Sequence, residues 1–164
     1  MKIACLHTAQ SNVAVFNEAA RSLNLAQDAL THEVMPHLLE QAQAAGGVTP
    51  EIEKETIAAL AQLRTDADVV LLTCSTLGSA ADFLSQDPGI MRVDRALAQA
   101  AYSAGQPVVV LCAAPTTLHP TAALFRATLS PTTPLAVELI PRRLGAVPEW
   151  PASTPFHQRV AGGR

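Results

Sequence analysis

The 164-residue chain reads as a parallel α/β protein, a sheet with helices on both faces. Two observations predict it. Short unbroken apolar runs, such as Val69 to Leu72 and the run opening at Val108, have the composition of strands buried on both faces. They alternate with stretches of helical period, the pattern that winds a chain back and forth across a parallel sheet. Strands are expected near 2–6, 28–33, 69–73, 90–93, 108–113 and 135–140.

Taken in order, Lys2 to Leu6 is a short buried strand, with Cys5 in its apolar core. Ser11 or Asn12 then caps a helix whose apolar face carries Val13, Phe16, Ala20 and Leu23. Asp28 to Val34 could form a second strand with His32 near its end, facing a cleft or serving as an ordinary surface or core histidine. A helix through "PHLLEQAQAA" follows, and Gly46-Gly47 ends it. Thr49 to Leu63 opens as a well-formed helix, with Thr49 as N-cap, Pro50 at the first position and acids in the first turn. Ile52, Ile57, Leu60 and Leu63 supply its buried stripe.

The third strand stops at Thr73-Cys74-Ser75-Thr76, and a helix begins beyond it with Ser75 or Thr76 as N-cap. After a turn at Asp87-Pro88-Gly89, "IMRVD" reads as a strand ending at Asp94, and Ala96 to Ala104 as a helix. "VVVLCAAPTTLHPTAALFRATL" repeats the strand-to-helix arrangement, with Cys112 within the strand and read as core, and "PLAVELI" adds a last strand. Pro141 to Arg164 has four prolines and no sustained period, so an irregular tail is expected there. "FHQRVA" would suit a helix and "RRLGAVPEWPASTP" would not, which suggests a change of ancestral reading frame near Arg143.

Composition excludes several classes. With 49% hydrophobic and 15% charged residues the chain is neither disordered nor a coiled coil. A net charge of −3 without a basic cluster argues against nucleic acid, and one Trp, one Tyr and four Phe leave little for base stacking. No apolar run approaches the ~18 residues of a membrane span. "MKIACLHTAQ" turns polar too soon for a secretory signal. Three cysteines without C-x-x-C spacing supply neither a disulfide framework nor a zinc motif, so no metal is expected. The chain is expected to be cytoplasmic, with a small molecule rather than nucleic acid or a membrane as partner.

Cys74 is the residue with most chemical promise. A thiol at a strand's carboxyl end, before a helix, sits where open α/β sheets bind ligands and where the thiolate is favoured. The same placement also suits a small buried cysteine in a tight turn. "LLTCSTLGSAAD" resembles the first cysteine segment of the aspartate/glutamate racemase superfamily, a strand followed by Cys-Asn/Ser-Thr, which Cys74, Ser75 and Thr76 match. "GG-x-TP" before the cysteine strand is similar to short aspartate and hydantoin racemase relatives.

The resemblance implies a two-lobe α/β fold, with residues 1–106 as the first lobe, 107–140 as the start of an incomplete second lobe and 141–164 as the tail. It implies a cofactor-independent racemase or isomerase acting at the α-carbon of an acidic amino acid or related carboxylate. Cys74 would be the catalytic base. Thr8, Gln10, Ser11 and Asn12 of the first loop would bind the substrate carboxylate, together with Ser75, Thr76, Thr116 and Thr117. Asp94 stands where the family often places an acid, to orient a base or to cap the next helix. Cys74, Thr8, Ser75, Thr76, Thr116 and Thr117 are expected to line the principal pocket. Ala114 replaces a threonine found in many members, and nothing matches the family's second cysteine motif. Racemisation is therefore expected to be impaired, unless a partner subunit in a homo-oligomer completes the site. The alternative is a non-catalytic α/β module that binds a carboxylate metabolite.

Overall fold

The computed structural model describes residues 1–140, and the tail expected at 141–164 lies outside the described residues. Strands and helices alternate as β1 Ile3–His7, α1 Ser11–Ser22, β2 Leu30–Val34, α2 Pro36–Ala45, α3 Pro50–Arg64, β3 Val69–Leu72, α4 Gly78–Phe83, β4 Ile90–Arg92, α5 Asp94–Ala104, β5 Val108–Cys112, α6 Pro115–Thr128 and β6 Leu135–Leu139. Every pairing is parallel. The strands form a four-stranded sheet of order β2-β1-β3-β4 and a separate pair, β5-β6. Among the described residues, no helix is long and apolar enough to cross a membrane.

β1 is the inner strand between β2 and β3, and all five of its residues are buried. Side chains alternate across a strand, so Ala4 and Leu6 share one face with Val70 and Leu72. That face is the main core, closed by Leu38 and Ala42 of α2, Ile52 and Leu60 of α3, and Ala80 and Ala81 of α4. Cys5 and His7 point to the opposite face, where Phe16 of α1 meets the His7 ring at 5.4 Å between centroids.

Local signals place several ends as expected. Thr49 Oγ1 accepts the Ile52 amide at 3.4 Å, Pro50 opens α3, and Gly46 closes α2 in the left-handed conformation, with φ of 74°. α1 differs. Neither Ser11 nor Asn12 caps it: the helix starts at Ser11, and the Asn12 and Val13 amides bond back to the Ala9 and Gln10 carbonyls. Tight turn bonds satisfy the first donors without a side chain. Its expected stripe is also only partly covered, for no residue of α1 is buried and Leu23 lies past the last turn at 70% exposure.

The β5-β6 pair packs Val108, Val110 and Leu135 against Leu124, Phe125 and Leu129 around α6, with Ala98 of α5. Its other face leaves Val109 and Leu111 more than half exposed. Cys112 closes β5 instead of lying inside it, and is buried.

Arg92 ties these layers together, and nothing in the apolar reading of "IMRVD" flagged it. Its side chain is 2% exposed. Nε and Nη2 donate to the two Asp94 carboxylate oxygens at 2.7 and 2.9 Å, and Nη1 donates to Asp82 Oδ2 at 2.7 Å. Nη2 also reaches the Pro120 carbonyl of α6 at 3.5 Å. Asp94 is thus the carboxylate fork of a buried ion pair, with no side-chain cap bond in α5. Burial opposes the charge of Arg92, but Asp94 and then Asp82 more than offset it and raise its pKa.

Gly78, the first residue of α4, leaves room for this guanidinium: a Cβ there would overlap Arg92 Cζ and both Nη atoms. Gly78→Ala must therefore displace a charge held by three carboxylate bonds, at a cost of about 3–5 kcal/mol. Gly46→Ala meets no neighbour and suffers only its positive φ, about 1–2 kcal/mol. Urea unfolding of the two variants should rank them in that order. Equal midpoints would show that the guanidinium yields freely.

Candidate functional site

In the order β2-β1-β3-β4, the chain leaves β1 toward one edge and returns to build toward the other. The point of reversal lies between β1 and β3, and open α/β sheets bind ligands outside the carboxyl ends of the strands at such a point. His7 and Thr8 leave β1 there, and Thr73 and Cys74 leave β3. The Thr73 amide donates to the Leu6 carbonyl at 3.0 Å, which carries the pairing one residue past the strand.

Cys74 keeps extended backbone, φ −104° and ψ 110°. Its side chain continues the alternation of Val70 and Leu72 and packs into the main core. A 3-10 turn, Ser75–Leu77, follows and leads into the short α4. Neither Ser75 nor Thr76 caps α4, because the turn puts Leu77 in that place. Ser75 is half-buried. Thr76 is 1% exposed, so its hydroxyl needs a partner, and it meets Thr116 Oγ1 of α6 at 3.1 Å.

Thr76, in the turn after β3, and Thr116, in the first turn of α6, are thus brought into contact. Thr117 is not turned the same way; its hydroxyl donates to the Ala114 carbonyl at 2.6 Å. Thr8 is buried, whereas Gln10 and Ser11 are exposed and Asn12 is half-buried. A cleft of about 430 Å³ lies beside the Thr76–Thr116 contact, with Ser79, Arg92, His119 and Pro120 in its wall. Cys74, Thr8, Ser75 and Thr117 are not among the residues lining this cleft. The cause is strand parity: extended backbone at position 74 sends the thiol into the core. A larger hollow, about 560 Å³, lies away from the strand ends, beside Asn17, Arg21 and Leu30.

A second buried polar group lies on the opposite face of the sheet, and its partners were not read from the sequence. His7 is fully buried, with Nδ1 2.8 Å from Thr73 Oγ1 and Nε2 2.9 Å from His32 Nδ1. His32 Nε2 lies 3.0 Å from Asn17 Oδ1 on α1. Thr73, His7, His32 and Asn17 therefore form one hydrogen-bonded chain from the strand ends to the surface. It closes with both rings neutral when Thr73 donates to His7, His7 to His32, and His32 to Asn17. Burial lowers the His7 pKa from its ordinary value, and the neighbouring His32 charge lowers it further. Burial also lowers that of His32. Cys5, beneath them on β1, is pushed up to about 11 by burial. His7 is visible in the sequence as a polar residue ending an apolar strand, but its partner depends on a register that linear spacing does not reveal.

Comparisons with protein families, curated proteins and solved structures find no match to this chain.

The neutral histidine pair fixes a pH dependence. Both native pKa values lie below the ordinary 6.5, so the unfolded chain takes up protons first as pH falls. Their contribution to stability is complete above about 6.5 and is lost as pH drops through and below it. Urea midpoints measured from pH 8 to pH 5 should fall for the wild type and fall less steeply for His32→Gln. Parallel curves for the two proteins would contradict the neutral chain.

Proposed function

We propose that the chain performs cofactor-independent proton transfer at the α-carbon of an acidic amino acid or related carboxylate, as a racemase or isomerase, with Cys74 as the base. The observation that carries this reading is the position of Cys74 directly beyond β3 at the reversal of strand order. The similarity of Cys74-Ser75-Thr76 to the first cysteine segment of the aspartate/glutamate racemase superfamily supports it. A reducing compartment such as the cytoplasm suits three free thiols.

In this reaction the Cys74 thiolate takes the α-proton. The C–H bond breaks, an S–H bond forms, and the electron pair spreads from Cα into the carboxylate. Hydroxyl donors such as Thr8, Thr76 and Thr116 would support the developing charge. Inversion needs a second acid on the opposite face. Cys5 is poorly suited, fully buried with its thiol pushed up to about 11, and Cys112 ends β5 in the other sheet. A lone Cys74 returns the proton to the face it came from, so hydrogen exchange outruns racemisation.

A second reading is favoured by the cleft itself, which gathers Thr76, Thr116, Arg92 and His119 without Cys74. Here the chain is a carboxylate-binding module and the thiol is core.

One experiment separates them. Acidic amino acids and hydantoins are incubated with the protein in deuterated water, and label at Cα is read by mass spectrometry. The catalytic reading expects incorporation that drops about 10²–10⁴-fold in Cys74→Ser. Absence of label, with calorimetric binding of a carboxylate that survives Cys74→Ala, would instead select the binding module.

A further inference from the structure

We propose that Cys5, His7 and His32 form a binding site for a zinc-class divalent metal ion, on the α1 side of the four-stranded sheet. The three residues are far apart in sequence and brought together by register alone. Cys5 and His7 are two positions apart on β1, so both side chains leave the same face. β2 runs parallel beside it with His32 opposite Cys5, which places the third side chain on that face too. One ligand atom from each lies within 4.8 Å of the other two. A thiol and two imidazoles are the donors that late first-row metals take, and a poor set for magnesium or calcium.

The surroundings resemble a prepared site more than three packed side chains. The outer nitrogen of each ring already faces an oxygen: His7 Nδ1 meets Thr73 Oγ1 and His32 Nε2 meets Asn17 Oδ1. Metal-bound histidines are held in this way, with the far N–H given to an oxygen acceptor. Thr73 can accept from His7 because its own proton has a second destination, the Leu6 carbonyl at 3.1 Å. With the His7 proton moved to Nδ1, His7 Nε2 and His32 Nδ1 both turn lone pairs to the space between them, where a cation can take the place of the proton in their 2.9 Å hydrogen bond.

The ion displaces one proton, from the Cys5 thiol; both rings stay neutral, His32 keeps its proton on Nε2, and only His7 moves its proton, from Nε2 to Nδ1. A thiolate in so buried a place is costly alone, and the metal charge offsets it. Metal–nitrogen bonds of about 2.0–2.1 Å require the ring pair to open by a few tenths of an ångström. His32 can give that much, being half-exposed on the edge strand β2. Phe16 shields the His7 side. Asn17, the partner of His32 Nε2, also lines the 560 Å³ hollow. Three protein ligands leave a fourth position for water.

The test is titration of the chelator-treated full chain with cobalt(II), whose thiolate charge-transfer band reports a sulfur ligand, followed by displacement with zinc(II). A single equivalent is expected to give the band, and zinc to remove it. Cys5→Ala should abolish the band. His32→Gln, at a site tolerant enough to fold, should weaken cobalt affinity at least about 100-fold, and Asn17→Ala about 10-fold. Cys74→Ala should leave the titration unchanged. No charge-transfer band in the wild type, a band lost with Cys74→Ala, or one indifferent to His32→Gln would each overturn the site.

Discussion

The structure depends on β1 being an inner strand of a parallel sheet. With β2 and β3 on its two sides and helices above and below, all of Ile3 to His7 is removed from water. An apolar residue there needs only a neighbour of suitable shape, and Ala4 and Leu6 find it in the main core. A polar residue needs its hydrogen bonds met inside the protein, because an unpaired buried group costs about 1–3 kcal/mol. His7 is that residue. Thr73, His32 and Asn17 are arranged around its ring, and the end of β3, the face of β2 and the docking of α1 are thereby fixed by one imidazole.

Arg92 imposes a similar constraint on the other side of the sheet. Its charge cannot stay buried unless carboxylates come to it, and these arrive from α4 and α5 as Asp82 and Asp94. The fit at Gly78 and the approach to Pro120 follow from the space the guanidinium needs. Both polar groups lie near the strand ends at which Cys74 and the threonines gather. The region proposed to handle a carboxylate is thus bounded by groups whose own hydrogen bonds are already committed.

Much of the fold was legible in the sequence, and the site was legible only in part. The six strands and the parallel layering follow from apolar runs alternating with helical stretches, and the α3 start from Thr49-Pro50. Those signals are local. Partners set by register are not: no spacing rule joins His7 to His32 or Arg92 to Asp82. The same holds for orientation. Cys74 was placed correctly after β3, yet whether its thiol faces a cleft or the core turns on one more residue of extended backbone. Hydroxyl pairing in the loops is equally hidden, for Thr76 meets Thr116 and Thr117 bonds to its own helix start.

The β5-β6 pair gives the molecule an uneven cooperativity. A two-stranded sheet has little independent stability, and this one is covered by α6 on one face while Val109 and Leu111 lie largely open on the other. Its amides should therefore open at a lower free energy than those of β1, as a separate cooperative unit. Thr116 rides on that unit and Thr76 on the stable one. Their hydrogen bond is then a latch that parts whenever the smaller unit opens, and a ligand bridging the two would bind by suppressing that local unfolding.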